Sequence, residues 1–248
     1  MAEEVALIVG GGPGISASCA RLFASEGMKV AVAARNIDKD VLKSLAKDYG
    51  ITRIACDASD PESVAALYDN VTDLLGAPTL VVHNIDGRPK DVFRKSITEV
   101  EPGPFLETLK NSTYSAFLIG QRAAREMLAQ DGRDGHKGTI LFTNASAAMK
   151  GYPLSGAFAA ASQGKSGLAQ SMARELMPQG IHVAHVPIDA AIGWEQPDGS
   201  RAHWLGGETK NDNMAHPDRI AEVYLQLHRQ HKSTWAYEIV LRPWQETW

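Results

Sequence analysis

Val5-Ala-Leu-Ile-Val9 runs straight into Gly10-Gly-Gly-Pro-Gly14-Ile-Ser16, and no other stretch limits the possible folds as strongly. Apolar residues that break into glycines suit a parallel strand covered on both faces. A helix beginning near Gly14 presents unpaired N–H groups and the positive end of its dipole, which attract a phosphate. Glycines at the turn let the backbone approach that phosphate with no Cβ in the way. A tight turn without a ligand would use the same residue types, so the rest of the chain has to decide.

The chain goes on as a regular alternation. Strands are predicted at 5–9, 28–34, 51–56, 80–82, 139–143, 181–187 and 236–241. Helices are predicted at 14–26, at 38–49 with Asp38 as cap, from Asp60-Pro61 onward, at 104–129, 155–177 and 217–230. Alternation with short joins predicts an α/β fold: a doubly wound, Rossmann-like parallel seven-stranded sheet with helices on both faces, in a single domain over 1–248. With 44% hydrophobic residues the chain can fill that core.

Composition removes several classes. A net charge of −4 gives no basis for a nucleic-acid or anionic-membrane partner. No apolar run reaches membrane-spanning length, and Met1-Ala-Glu-Glu4 lacks a signal peptide's basic start, so a cytoplasmic protein is expected. Cys19 and Cys56 read as buried reduced thiols, and no metal-ligand spacing is present.

On these residues the chain resembles the short-chain dehydrogenase/reductase family over essentially its whole length. Val9-Gly-Gly-Gly-Pro-Gly-Ile-Ser16 stands for the family's TGxxxGIG, and His83-Asn84-Ile85-Asp86 for its NNAG. Phe117-Leu-Ile-Gly-Gln121 matches the helix before the fifth strand; Gly167-Leu-Ala-Gln-Ser-Met-Ala-Arg-Glu-Leu176 and Gly180-Ile-His-Val183 match the region after the catalytic helix. The resemblance implies NAD or NADP, a small-molecule substrate, and a homodimer or homotetramer. It assigns the cofactor to Gly10, Gly12, Gly14 and Ile15 at the turn, Arg35 and Asn36 after strand two, Asp57 and Ala58 after strand three, Asn84, Ile85 and Asp86 after strand four, and Ile188 after strand six. An acidic residue at the end of strand two would bind the ribose diol and repel a 2′-phosphate. Here Ala34 and Arg35 stand there, so NADP(H) is the expected cofactor. A solvated loop charge at Arg35 and a loop cap at Asp57 are the plainer alternatives.

The active-site pattern departs from the family. Its reductases use a Ser, a Tyr and a Lys four residues beyond the Tyr, with an Asn on the preceding long helix. Anchoring on Gly167-Leu168 puts the Tyr position at Phe158 and the Lys position at Ser162. The Ser position falls on Ala145 with Ser146 beside it, and the Asn position on Ser112 with Asn111 beside it. Lys165 lies four residues beyond Ala161, which has no proton to give; Tyr152, before Pro153, would have to swing back into the site. Phenylalanine has no ionisable proton, so the usual alcohol/ketone mechanism is missing here. Hydride transfer itself belongs to the cofactor. An iminium, an activated C=C or a quinone-like C=O therefore suits the site best.

Ser146 and Asp189 are the candidate catalytic residues, with loop capping as the alternative for each. Asp86 in Asp-Gly is also a favoured turn residue, and His83 and His185 read as core histidines or acid–bases. Residues 192–215 read as a substrate lid, with Trp194 and Trp204, along with Phe158, as substrate contacts. An atypical NADP-dependent oxidoreductase acting on a hydrophobic or cationic small molecule is the first reading. A non-redox lyase, cyclase or isomerase on the same scaffold, and a catalytically inactive NADP-binding homologue, are its rivals.

Overall fold

The computed structural model describes residues 4–196, 198–203 and 212–247. In chain order the first half is β1 (Val5–Val9), α1 (Ile15–Ser25), β2 (Lys29–Ala34), α2 (Asp40–Tyr49), β3 (Thr52–Ala55), α3 (Pro61–Leu75) and β4 (Leu80–His83). The second half is α4 (Pro102–Leu109), α5 (Ser115–Leu128), β5 (Gly138–Ala145), α6 (Gly156–Leu176), β6 (Ile181–Ile188), the short strands β7 (Trp194–Glu195) and β8 (Arg201–Ala202), and α7 (Pro217–His228). The main sheet is parallel throughout, in the order β3-β2-β1-β4-β5-β6. The order reverses between β1 and β4, so a crevice opens at the carboxyl ends of those two strands.

The sheet has six continuous strands where seven were expected, and the reason is local. Segment 236–241 does run beside β6, through the bridges His185↔Glu238 and Ile188↔Leu241. His185 and Asp189 donate to Tyr237 and Leu241, while Ile239 and Leu241 donate to His185 and Pro187. The missing rung is the one Pro187 would donate, and proline has no N–H.

Alternate residues of β1 feed two separate cores. Val5, Leu7 and Val9 pack with α3, α5 and α6, whereas Ala6 and Ile8 pack with α1, α2 and α7. Asp60 caps α3 as expected, accepting from the N–H groups of Glu62 and Ser63. Asp38 does not cap α2; its N–H closes a turn onto Asn36 Oδ1, and the helix starts after Lys39. The helix expected over 104–129 is interrupted by a wider π turn at Lys110–Tyr114. There Ser115 Oγ lies 2.6 Å from the Asn111 carbonyl and 3.0 Å from that of Ser112, occupying the backbone ladder.

Candidate active site

Gly10 shows why the first turn must be glycine. It has φ +110°, and a Cβ there would stand 2.1 Å from the Asn84 carbonyl oxygen. That close approach brings β1 against the end of β4. Ser16 Oγ donates to the Gly10 carbonyl at 2.8 Å, and Asn84 Nδ2 donates to Ser16 Oγ at 2.7 Å. The Asn84 amide thus braces the turn. No side chain caps α1, and its first turn carries no acidic residue, so its N–H groups remain available to an anion.

Two cavities open on this crevice and share Asn84 and Asp86. The smaller, about 340 Å³, is lined by Gly10, Ala58 and Ile85, and by Arg35, Asn36 and Asp57 at the ends of β2 and β3. Asp57 accepts from the N–H and hydroxyl of Ser59, which hold its carboxyl below the usual range. Lys39 also lines this cavity and was missed in the sequence; its ammonium donates to the Gly11 carbonyl at 2.7 Å. The signal was present as a second cation four residues beyond Arg35.

The larger cavity, about 650 Å³, is lined by Gly12, Gly14 and Ile15 on one side and by Ser146, Phe158 and Ile188 on the other. Trp194 closes it from the β7–β8 hairpin, with His203 edge-on 6.3 Å away. Trp204 lies outside the described residues. Tyr152 stands at the rim, 44% exposed.

Asp189 is placed differently from the expectation. Its carboxylate is buried and accepts from Arg242 Nε at 2.9 Å and Lys150 Nζ at 3.2 Å, and the cavity wall passes through its neighbours Ile188 and Ala190 instead. Burial pushes its pKa up, but the two hydrogen-bonded cations outweigh that and hold the acid ionised. It ties the end of β6 to the C-terminal segment.

Behind Phe158 lies a polar layer. Ser162 is buried with no partner for its hydroxyl among the described residues, and its carbonyl accepts from Asn144 Nδ2 at 2.8 Å. The same amide donates to His185 Nε2 at 2.9 Å, leaving Nδ1–H to donate to Glu238 at 2.7 Å. His83 is fully buried against Ser115, and burial keeps it neutral. His83 and His185 are both core groups. Lys165 reaches the Ile85 carbonyl at 3.0 Å and the Thr143 carbonyl at 3.3 Å from a buried position. Burial brings its ammonium pKa down to about 8.

Residues 10–238 match the family model described as enoyl-(acyl carrier protein) reductase. A short-chain dehydrogenase from Rhodopseudomonas palustris superposes with a TM-score of 0.76 at 31% identity, covering 97% of this chain and 99% of that one. The chain belongs to the short-chain dehydrogenase/reductase family. This short-chain dehydrogenase/reductase is also 31% identical to sorbitol-6-phosphate 2-dehydrogenase of Escherichia coli over 73% of its own length and 69% of the relative's. A metagenomic short-chain oxidoreductase solved in complex with NADP shares the fold at 22% identity, with a TM-score of 0.77 over 98% of each chain. Among the described residues no helix is long and apolar enough to cross a membrane, and no cluster of metal-ligating side chains occurs.

Proposed function

We propose that this family member is an NADP-dependent oxidoreductase that transfers a hydride to or from a small organic substrate, an activated C=O, C=N or C=C, without a tyrosine–lysine pair. The observation that carries the reading is Phe158 in the wall of the larger cavity, where the family register expects the phenol, with Ser162 buried behind it. The residues present fit the dinucleotide. The uncapped start of α1 would take its pyrophosphate, Arg35 and Lys39 the 2′-phosphate, and Asp57 and Ala58 the adenosine end. Asn84 and Asp86 line both cavities and Ile85 the smaller one, and Ile188 in the larger would border the nicotinamide. When bound, the cofactor supplies the hydride. The chain supplies placement: Phe158, Ile188 and Trp194 shape an apolar wall, and the Ser146 hydroxyl holds the substrate oxygen. Protons come from water at the open rim. Two buried free thiols, Cys19 and Cys56, suit a reducing cytoplasm.

NADPH is expected to quench tryptophan fluorescence through Trp194, and a panel of activated C=O, C=N and C=C compounds to oxidise it. Tyr152→Phe should keep the rate within about threefold, whereas loss of a true acid–base group costs about 10²–10⁴. A loss of that larger size would make Tyr152 the proton donor and end the reading. Turnover with no nicotinamide oxidation would give the scaffold to a non-redox reaction instead.

The same proposal includes a homodimer or homotetramer. Leu106, Tyr114 and Phe117 lie exposed along α4, the π turn and α5, and the last two rings stack at 6.2 Å. Phe117→Glu is expected to yield monomers in light scattering while leaving the circular dichroism spectrum unchanged; an unaltered mass would place the interface elsewhere.

A further inference from the structure

Arg88 lines the larger cavity with its side chain 19% exposed, and three contacts fix its guanidinium. Nε and Nη2 donate to the two carboxylate oxygens of Asp86, each at 2.6 Å. The Phe158 ring lies flat against it, 3.6 Å from Cζ to ring centroid, and the Phe93 ring stands 5.4 Å away. A guanidinium carries five N–H groups on two usable edges. Asp86 takes the Nε/Nη2 edge. The Nη1/Nη2 edge keeps three N–H groups with no protein acceptor among the described residues. That edge matches a planar carboxylate through two parallel charge-assisted hydrogen bonds, and the phenyl ring holds its plane in advance.

The charge of the wall points the same way. Arg94 lines the cavity too, with Cζ 5.6 Å from the Phe93 ring, so two guanidinium groups flank one phenyl. Asp86 is the carboxylate facing them, and burial lowers the pKa of His203. Two cations against one anion leave a net positive wall, which disfavours the cationic substrate that the sequence suggested.

We propose that the end-on edge of Arg88 binds a carboxylate, so that the substrates are small organic acids with an apolar or aromatic body. This rests on reading the larger cavity as the substrate chamber.

The test is isothermal titration of the full chain with benzoate and with its neutral isostere benzamide. Benzoate should bind at least about tenfold tighter, as two charge-assisted hydrogen bonds require. Arg88→Gln should erase that preference while NADP⁺ affinity, read by tryptophan fluorescence, stays unchanged. Arg88→Lys keeps the charge without the planar edge and should reduce the preference at least about threefold. Equal binding of the two probes by the wild type, a preference that survives in Arg88→Gln, or one left undiminished in Arg88→Lys, overturns the proposal. So does a loss of NADP⁺ affinity in Arg88→Gln matching the loss for benzoate, which would give the guanidinium to the cofactor. If the wild type binds benzoate selectively but no nucleotide, the acid site stands and the oxidoreductase reading fails. Nucleotide binding without selectivity for benzoate sinks the acid site alone.

Discussion

Arg35→Asp is expected to reverse the nucleotide preference, weakening NADPH by on the order of 10²–10³ while NADH binds as well as before or better. Arg35 is exposed at the end of β2 and lines the smaller cavity with Lys39. A 2′-phosphate bound as proposed would bring between one and two negative charges to this point, and the guanidinium would meet it with paired N–H donors. Aspartate removes those bonds and adds repulsion, and its carboxylate can accept from the free ribose diol. Lys39 moderates the loss, because its ammonium stays on the same wall, held at the Gly11 carbonyl. Asp57 lines the same cavity with its Oδ1 taken by the N–H and hydroxyl of Ser59, and it is the same in wild type and variant. Fluorescence titrations of wild type and variant with both nucleotides measure the ratio. An unchanged ratio would show that Arg35 is only a solvated charge, and NADP would lose its main support.

The parts of the site that sequence pattern revealed are those made by neighbours in the chain. The glycine turn, the cap at Asp60 and the cavity residues after β2, β3 and β4 all follow strand–turn–helix boundaries, and the structure brings the turn and the cavity residues to one crevice. What sequence alone did not reveal is made by partners far apart in the chain. Asp189 looked like a free acid because Arg242 and Lys150 lie 53 and 39 positions away. Phe158 reads in the sequence as a substrate contact at the family's Tyr position, and nothing in its helix announces that Arg88 stacks on it. The seventh strand failed by one hydrogen bond, and the cause, Pro187, sits on the neighbouring strand. Local pattern sets elements and their ends, whereas charge pairing across the crevice depends on tertiary distances.

Lys165 provides the second large effect, in stability. Its ammonium is buried with two carbonyl oxygens as partners, those of Ile85 and Thr143, and its pKa falls from 10.5 to about 8. Burial is the main cause, and the negative charge of Asp86 offsets part of it. Below pH 8 the lysine is protonated in both folded and unfolded chains, so it contributes a constant penalty. Between about pH 8 and 10.5 the folded chain has released the proton while the unfolded chain still holds it. The unfolded state then binds more protons, so stability attributable to this group rises with pH. Over the whole window the gain is about 3 kcal/mol. Lys165→Met has no such proton. The difference in unfolding free energy, wild type minus variant, should therefore climb by that amount between neutral pH and pH 10.5 in urea titrations. Buried tyrosines such as Tyr68 and Tyr224 titrate at high pH in both proteins and cancel in the difference. A flat difference would mean that the ammonium is hydrated or paired in solution. The tie between the β4 loop and β5, which sets the wall of the smaller cavity at Ile85, would then have to be made by something other than this charge.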